Sequence, residues 1–394
     1  MKISEVKIIT LGEPEPLGPR PGWVTTPTDL LFPGEHRPNV PPPGTPSSVI
    51  VRVETDEEIY GYGTVGLGSP AAVPVIKSHL EPLVIGRSPF DVEFLWELMY
   101  RSTINIGRKG LVLEAISAID IALWDIMGKA TGQPVYNLLG GKTKDRLRAY
   151  VSQNYAQRDL GAVRAEAQRY VDQGFTALKM RFGYGPGDGA SGMAANYELI
   201  KTVRDVIGPD VDLMADAYMG WDVAYAIRMI RRVDELDLRW IEEPVIPDDI
   251  EGYARIRSAV STPISGGEHE FTRWGFRQLL EARAVDVVQP DVNRMGGITE
   301  ARKVWALASA FNVEVIPHSN HAHNVHLITA STSSPLIEYF PTDTIRSSYT
   351  FFPEIFVGEP EVKNGFIAIS DAPGLGIELN EETIARYRIA ELSS

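Results

Sequence analysis

The stretch VDLMADAYMGWDVAYAIRMIRRVDELDLRWIEEP, residues 211–244, decides the fold of this 394-residue chain. It opens with a short apolar run that ends in Asp216 and closes with a second run that ends in Glu242. Between the runs, apolar residues at spacings of four, three and three share one face of a helix: Val223, Ile227, Ile230 and Val233. The stretch therefore predicts a strand, a helix and a second, parallel strand.

The same unit recurs along the chain from about Arg146 onward. Eight short apolar runs alternate with amphipathic stretches: RLRAYVS, ALKMRF, VDLMADA, RWIEEP, TPISGGE, VDVVQPD, VEVIPHS and LIEYF. Strands that alternate with helices predict parallel βα units, and eight units predict an α/β fold closed into a (β/α)8-type TIM barrel. A doubly wound open sheet would more often carry a Gly-rich phosphate loop after its first strand, where this chain has SQNYAQ.

The segments outside the repeat have a different character. Strand-like stretches KISEVKIIT and SSVIVRVETDEEIYGYGTVG flank residues 11–46, whose prolines predict a long irregular loop. Helices are predicted over 72–83 and 91–101, and in EAISAIDIALWDIMGKATGQPVYNLLGG, which Gly132 and Pro134 close. The late stretch KNGFIAISDAPGLGIELNEE predicts turns and short strands that need another surface to pack on.

Composition excludes several classes of function. The hydrophobic fraction of 44% and the charged fraction of 23% are typical of a soluble globular protein. The formal net charge of −14 argues against nucleic acid or an anionic membrane as a partner. The chain has no cysteine, which excludes disulfides, thiolate metal sites and cysteine nucleophiles. No apolar run is long enough to span a bilayer, and MKISEVKIIT lacks the apolar core of a signal peptide, so we expect a cytoplasmic protein.

Three acidic residues stand at the ends of consecutive predicted strands. Asp216 and Glu242 are 26 residues apart, and so are Glu242 and Glu268. This equal spacing predicts that the three side chains lie at the same level on adjacent barrel strands and point into one pocket. Like charges in such proximity raise one another's pKa, and a divalent cation relieves the repulsion. Oxygen ligands alone suit Mg²⁺ better than Zn²⁺. We therefore predict a Mg²⁺ site; the alternative is three isolated acidic residues at loop edges.

The seventh predicted strand ends in His318, 27 residues after Asp291 at the end of the sixth. A carboxylate one strand away can accept the imidazole Nδ1–H and orient the ring, which leaves Nε2 as a general base. Three further histidines follow in the loop and helix beyond this strand. We interpret His321 as facing the substrate, and His323 and His326 as structural.

Together these features resemble the enolase superfamily, mandelate racemase subgroup. The motifs DAYMGW, WIEEP, SGGEHE, QPDVNRMGGIT, VIPHSNHAHN and FGYGPGDG are most similar to L-rhamnonate-type dehydratases of acid sugars, and AIDIALWDIMGKATGQPVYNLLGG is similar to the superfamily's linker into the barrel. The resemblance covers essentially the whole chain. It implies a modified (β/α)7β TIM barrel over residues 126–352, an α+β capping domain over 1–125, and a C-terminal segment, 353–394, that returns to the capping domain.

The resemblance also implies roles for individual residues. Asp216, Glu242 and Glu268 would bind Mg²⁺, and His318 paired with Asp291 would be the base. The substrate-binding residues would be Lys179, Arg181, His269, Glu338, His321 and His36. Arg20 and Arg37 of the proline-rich loop are further candidates to contact distal hydroxyls, unless that loop is simply solvated or a subunit contact. A homo-oligomer, commonly an octamer, is implied as well.

The implied reaction is dehydration of a small-molecule sugar acid, an aldonate such as L-rhamnonate, to a 2-keto-3-deoxy acid, which makes the protein a lyase. Racemases of the subgroup carry Lys-x-Lys at the end of the second strand, where this chain has Lys179-Met180-Arg181. Arginine is a poor proton acceptor, which disfavours the alternative of a racemase or epimerase.

Two alternatives come from outside this superfamily. A zinc hydrolase on a barrel would usually begin with His-x-His on the first strand, and RLRAYVS has no histidine. A non-catalytic sugar-binding barrel would need neither the three carboxylates nor the His–Asp pair.

Overall fold

The computed structural model describes residues 1–12, 22–32, 46–66, 69–342 and 353–392. The first part of the chain forms an antiparallel sheet and a group of helices. The strands are β1 (Ile3–Gly12), β2 (Pro46–Thr55) and β3 (Tyr60–Thr64). The helices are α1 (Ala72–Val75), a π turn (Ile76–Leu80), α2 (Glu81–Val84), α3 (Val92–Thr103), α4 (Leu111–Thr131) and α5 (Val135–Leu138). The helices predicted from the sequence are confirmed, and Gly132 ends α4 in the left-handed conformation that glycine favours.

All eight predicted barrel strands are present. They are β4 (Arg146–Asn154), β5 (Ala177–Arg181), β6 (Asp212–Asp216), β7 (Trp240–Glu242), β8 (Ile264–Gly266), β9 (Val287–Val288), β10 (Glu314–Val315) and β11 (Leu336–Tyr339). Each strand from β4 to β10 is parallel to the next, and β11 pairs in parallel with β4. The eighth strand thus lies beside the first, as a closed barrel requires.

Helices connect these strands and form the outer layer. They are α6 (Leu160–Asp172), α7 (Gly189–Ile207), α8 (Val223–Val233), α9 (Ile250–Ala259), α10 (Thr272–Glu281), α11 (Val292–Met295), α12 (Gly297–Ala310) and α13 (Ala322–Thr329). Seven strand–helix units therefore precede β11, which confirms the modified (β/α)7β barrel. The buried face of α8 is rotated slightly from the predicted one: Met229 is buried, whereas Val223 and Ile227 are half-buried.

The last part of the chain contacts both the barrel and the N-terminal sheet. It contains β12 (Phe356–Val357), β13 (Val362–Lys363), β14 (Phe366–Ala368), β15 (Glu378–Leu379), α14 (Glu381–Tyr387) and β16 (Arg388–Leu392). Strand β14 pairs antiparallel with β4 of the barrel, and β16 pairs antiparallel with β1. The domain boundaries expected from the sequence stay a prediction, and α4 runs through the first of them.

Helix α4 is buried between the N-terminal sheet and barrel helices α11 and α12. Close packing against β3 depends on two glycines, since a Cβ added at Gly61 or Gly63 would lie about 2 Å from a carbonyl oxygen of α4. Asp125 of α4 accepts hydrogen bonds from the backbone of Tyr62 on β3 (3.1 Å) and of Leu375 near the C-terminus (2.8 Å). One buried carboxylate therefore joins three parts of the chain.

A short segment, residues 22–32, contacts the barrel beyond the ends of β4 and β5. Trp23 exchanges backbone hydrogen bonds with Ala156 beyond β4, and its indole Nε1 donates to the Gly183 carbonyl at 2.7 Å. The backbone N–H of Thr25 donates to the Phe182 carbonyl at 2.8 Å. This part of the proline-rich stretch is therefore fixed to the carboxyl ends of the first two barrel strands. None of the described helices is both long and apolar enough to cross a membrane.

Candidate active site

The carboxyl ends of the barrel strands bring together the described residues that the sequence predicts for the site. Lys179 lies in the middle of β5, and eight more lie at or just beyond a strand end: Arg181, Asp216, Glu242, Glu268, His269, Asp291, His318 and Glu338. Except for His269, which is half-buried, all are buried. Two further candidates remain. His321 is the N-cap residue of α13, beyond the seventh strand, and His36 lies outside the described residues, as do Arg20 and Arg37.

The three predicted metal ligands do not share one register, contrary to the expectation from their equal spacing. Asp216 and Glu242 are register partners on β6 and β7, but the partner of Glu242 on β8 is Ser265. Glu268 therefore lies three residues further along, beyond the strand end. Gly267, with φ of +124°, makes the turn that carries it there, a conformation that a side chain would strain.

Two cations lie among these carboxylates. Lys179 Nζ is 2.5 Å from Glu242 Oε1, 3.0 Å from Glu338 Oε1 and 3.9 Å from Asp216 Oδ2. Arg181 Nη1 is 2.6 Å from Asp216 Oδ2. Burial alone would lower the pKa of Lys179, but Glu242 and Glu338 raise it well above its ordinary value. Lys179 therefore stays charged inside the barrel.

Among the described residues, one group of three possible metal ligands has its ligand atoms within 4.8 Å of one another, and it is Glu243, Glu268 and His269. Glu243, directly after β7, has φ of +41°, an unusual value for a residue other than glycine. Its carboxylate accepts a hydrogen bond from His269 Nδ1 at 2.8 Å. Burial alone would lower the pKa of His269, but Glu243 raises it.

His318 and Asp291 form the predicted pair. His318 Nδ1 is 2.8 Å from Asp291 Oδ2, and its Nε2 is 3.6 Å from Glu268 Oε2 and 3.9 Å from Glu338 Oε2. Burial alone would lower the pKa of His318, but Glu268, Glu338 and Asp291 raise it to about 9. An ionised Asp291 accepts the Nδ1–H, and Nε2 is then the nitrogen that faces the other carboxylates.

Arg294 holds both Asp291 and Glu268 in place. Its Nε is 3.2 Å from Asp291 Oδ2, and its Nη1 donates to the Glu268 carbonyl at 3.1 Å. Burial would raise the pKa of Asp291, but Arg294 and His318 hold it well below its usual range. Burial would likewise raise the pKa of Glu268, but His318, His269 and Arg294 lower it to about 2.

Glu338 on β11 is a further buried carboxylate of the site and contacts Lys179 at 3.0 Å. Its Oε2 accepts the backbone N–H of Ser319 at 2.6 Å, in the turn directly after His318. Ser319 has φ of +75°, an unusual value outside glycine, which aims that N–H at the carboxylate. Burial would raise the pKa of Glu338, but Lys179 and His318 lower it to about 2.

The three histidines that follow His318 in the sequence are also buried: His321, His323 and His326. His321 is the N-cap residue of α13, and its ring centroid lies 5.4 Å from that of His323. His326 Nδ1 accepts the backbone N–H of Tyr136 at 3.2 Å, so its Nε2 carries the proton that bonds the Leu375 carbonyl at 3.1 Å. Burial lowers the pKa of His321 and of His326 to about 4.

Several residues of this site were missed by the sequence reasoning: Glu243, Trp240, Gln289 and Arg294 as partners of the predicted groups. A signal existed for some of them. Trp240 precedes Glu242 by two positions, the period at which strand residues share a face. Arg294 follows Asp291 by three, and Asp291 is the N-cap residue of α11, so one helical turn joins them.

Comparison with known proteins agrees with this geometry. Residues 162–383 match the family model described as "Enolase C-terminal domain-like", and residues 40–140 match "Mandelate racemase / muconate lactonizing enzyme, N-terminal domain". The chain belongs to the enolase superfamily. Its place in the mandelate racemase subgroup, expected from the motifs, is confirmed.

Named relatives of this enolase-superfamily enzyme include dehydratases and a racemase. An L-rhamnonate dehydratase of Saccharopolyspora erythraea is 38% identical over 86% of this chain and 85% of its own. The rhamnonate dehydratase of Gibberella zeae, crystallised with Mg, is 31% identical with a TM-score of 0.83, over 98% of this chain and 96% of that one. A racemase of Streptomyces coelicolor A3(2) with bound magnesium is 28% identical with a TM-score of 0.83, over 98% of this chain and 100% of that one.

These likenesses confirm that this superfamily member is an enzyme of the hydro-lyase class. They confirm the fold class too, a TIM barrel with a capping domain. The individual roles of the site residues stay predictions.

Proposed function

We propose that the protein is a Mg²⁺-dependent dehydratase of an aldonate, with L-rhamnonate and acids matched to it at C2 and C3 as substrates. The observation that carries this proposal is the pair at the end of β9 and β10: His318 Nδ1 bonded to Asp291 at 2.8 Å, with Nε2 directed at Glu268 and Glu338. One imidazole with an ionised partner, facing a buried group of carboxylates, suits removal of a proton from carbon.

The charges at the site fit a divalent cation. Six buried carboxylates belong to it, namely Asp216, Glu242, Glu243, Glu268, Asp291 and Glu338. Three side chains of fixed positive charge face them: Lys179, Arg181 and Arg294. This excess of negative oxygen donors suits Mg²⁺. Such an ion would also offset the carboxylates that raise the pKa of His318, and so favour the neutral imidazole that a base requires.

Asp216, Glu242 and Glu268 would hold the ion, as the family resemblance implies. When bound, Mg²⁺ supplies a Lewis acid beside the substrate carboxylate and stabilises the doubly negative state that follows loss of the C2 proton.

His318 carries both proton transfers. Its Nε2 takes the proton from C2, and the electron pair of that C–H bond is delocalised into the substrate carboxylate. The pair then expels the 3-hydroxyl, to which the imidazolium of His318 returns its proton, so that water leaves. The remaining enol then tautomerises: it gains a proton at C3, loses the proton of the hydroxyl on C2, and becomes the 2-keto-3-deoxy acid. Because one residue serves as base and then as acid, the proton and the hydroxyl leave from the same face of the substrate.

The remaining predicted residues bind and orient the substrate. Lys179 and Arg181 place two positive charges on β5, on one side of the pocket, and positive charge there suits a substrate that carries a carboxylate. His269, half-buried and bonded to Glu243, would contact the substrate beside Glu268. Glu338 would accept a substrate hydroxyl. His321 and His36 stay predictions as substrate contacts, and the homo-octamer likewise stays a prediction.

The racemase alternative requires a second base on the opposite face of the substrate. Arg181 occupies that position in the sequence pattern. Burial alone would lower the pKa of its guanidinium, but Tyr155 and Asp216 raise it well above its ordinary value. A guanidinium so held does not accept a proton at neutral pH.

The decisive experiment is a screen of acid sugars for formation of keto acid, followed as semicarbazone absorbance with Mg²⁺ present. We expect turnover of L-rhamnonate-like acids by the wild-type protein, none by His318→Asn, and unchanged turnover by the control His79→Asn, whose side chain is exposed on the π turn. The proposal fails if no aldonate is dehydrated or if His318→Asn keeps the wild-type rate. Exchange of C2–H for solvent deuterium without dehydration would support the racemase instead.

A further inference from the structure

Glu242 uses its two carboxylate oxygens for different partners. Oε2 accepts two neutral donors, the amide Nε2 of Gln289 at 2.8 Å and the indole Nε1 of Trp240 at 3.2 Å. Oε1 lies 2.5 Å from the ammonium of Lys179. One oxygen is thus bonded to the protein interior, and the other faces the charged groups of the site.

The two neutral donors are themselves fixed. Trp240 is fully buried in the barrel interior, where its ring packs edge-on against Tyr150 at 5.6 Å between centroids. Gln289 is buried, and its backbone N–H donates to the Gly266 carbonyl of β8 at 2.9 Å. Because both donors are enclosed in the barrel interior, their two bonds to the same oxygen favour one rotamer of the Glu242 carboxylate.

We infer that Gln289 and Trp240 are positioning residues that fix Glu242 for metal binding. The inference rests on the proposed function, in which Glu242 is a metal ligand. Both donors are uncharged, so they orient the carboxylate without neutralising it, and they leave Oε1 for a cationic partner.

The test removes each donor and keeps the shape of its side chain. Gln289→Met has a similar length without an amide, and Trp240→Phe keeps an aromatic ring without the N–H. The matched control is Trp305→Phe, because the indole of Trp305 donates to Ser334 Oγ at 3.1 Å away from this site. Binding of Mn²⁺ to the full chain is measured by electron paramagnetic resonance, and folding by thermal melting.

We expect Gln289→Met and Trp240→Phe each to weaken Mn²⁺ binding by about 10- to 100-fold, while Trp305→Phe binds as the wild type does. Gln289→Asn, which restores an amide on a shorter side chain, should recover part of the loss. If the wild type binds Mn²⁺ and both donor variants bind it equally well, the positioning role is wrong. If the wild type binds no Mn²⁺, the proposed function fails first. Should Gln289→Met not fold, Trp240→Phe alone decides between these outcomes.

Discussion

Arg181 Nη1 lies 2.6 Å from Asp216 Oδ2, and the two residues are register partners on β5 and β6. A second guanidinium nitrogen, Nη2, reaches Ser152 Oγ on β4 at 3.4 Å. Arg181 therefore spans three neighbouring strands at the floor of the site. The planar guanidinium donates to Asp216 and Ser152 at the same time, and the single ammonium of a lysine does not reproduce that geometry.

Arg181→Lys is expected to slow dehydration by roughly 10- to 100-fold and to introduce epimerisation at C2. The variant restores the Lys-x-Lys pattern, and an ammonium, unlike a guanidinium, can release its proton in a buried site. Nuclear magnetic resonance of recovered substrate in D₂O measures both effects. The control is Arg148→Lys, which alters a similar cross-strand pair with Asp212 (2.7 Å) outside the site. Unchanged rates and no deuterium at C2 would contradict this account of Arg181.

Removal of metal should abolish turnover and lower stability. An ion present at 100 times its Kd stabilises the folded protein by about 2.7 kcal/mol. EDTA should therefore lower the melting temperature, and added Mg²⁺ should restore both the melting temperature and the activity. Asp216→Asn should melt at the same temperature with and without Mg²⁺, whereas Asp205→Asn, at an exposed pair with Lys201, should respond as the wild type does. Full activity in excess EDTA would remove Mg²⁺ from the mechanism.

Gly267→Ala should disturb the site more than the fold. With φ of +124°, and Phe276 Cε1 only 3.0 Å from the position of an added Cβ, alanine would cost on the order of 1–3 kcal/mol and move Glu268, the next residue. Gly208→Ala is the control, because Gly208 also has a positive φ of +73° but meets no atom within 4 Å. We expect both variants to melt at lower temperature and only Gly267→Ala to lose Mn²⁺ binding. Equal binding by both would contradict the role of this turn.

The barrel could be predicted from the sequence because its signal is local. A strand of four to seven apolar residues and a helix with one apolar face each follow from the residues inside them, and eight repeats fix the topology. The positions of His318 and Asp291 followed from the same argument. Each lies three residues beyond the end of its own strand, and the two strands are neighbours, so the side chains meet at 2.8 Å.

The exact placement of Glu268 and Glu243 could not be predicted in this way. Equal spacing in sequence does not give equal register when the loops between strands differ, and here the turn at Gly267 adds residues after β8. Glu243 has a positive φ and bonds His269 on the next strand–helix unit, and no residue pattern predicts that backbone conformation for a glutamate. Contacts such as that of Arg294 with the Glu268 carbonyl join distant strands, and spacing alone says nothing about them.

A small pocket lies where β3, α4, α13 and the C-terminal segment meet. Glu359 lines it, and burial raises the pKa of Glu359 to about 8, although the backbone N–H of Ala322 at the start of α13 donates to its carboxylate. The other titratable groups that face this pocket are Tyr62 on β3 and His321 and His323 on α13. Burial raises the pKa of Tyr62 and lowers the pKa of both histidines, so all three are neutral between pH 5 and about 9.

Glu359→Gln should therefore change the pH dependence of stability. A carboxyl whose folded-state pKa is raised contributes stability below its ordinary pKa of 4.5, and that contribution is lost as the pH rises through about 8. Glutamine mimics the protonated acid at every pH. We expect the variant to match the wild type near pH 5 and to exceed it by about 1–3 kcal/mol above pH 8, measured by denaturant unfolding across this range.

The control is Glu361→Gln, two residues further along the same segment, where the side chain is exposed and 3.9 Å from Lys363. Its stability should follow the wild type at every pH, because an exposed carboxyl loses little solvation on folding. A difference between Glu359→Gln and wild type that stays constant from pH 5 to pH 9 would show that Glu359 does not titrate in the folded protein. A difference of the opposite sign would mean that its ionised form is the one that bonds Ala322 and secures the C-terminal segment to α13.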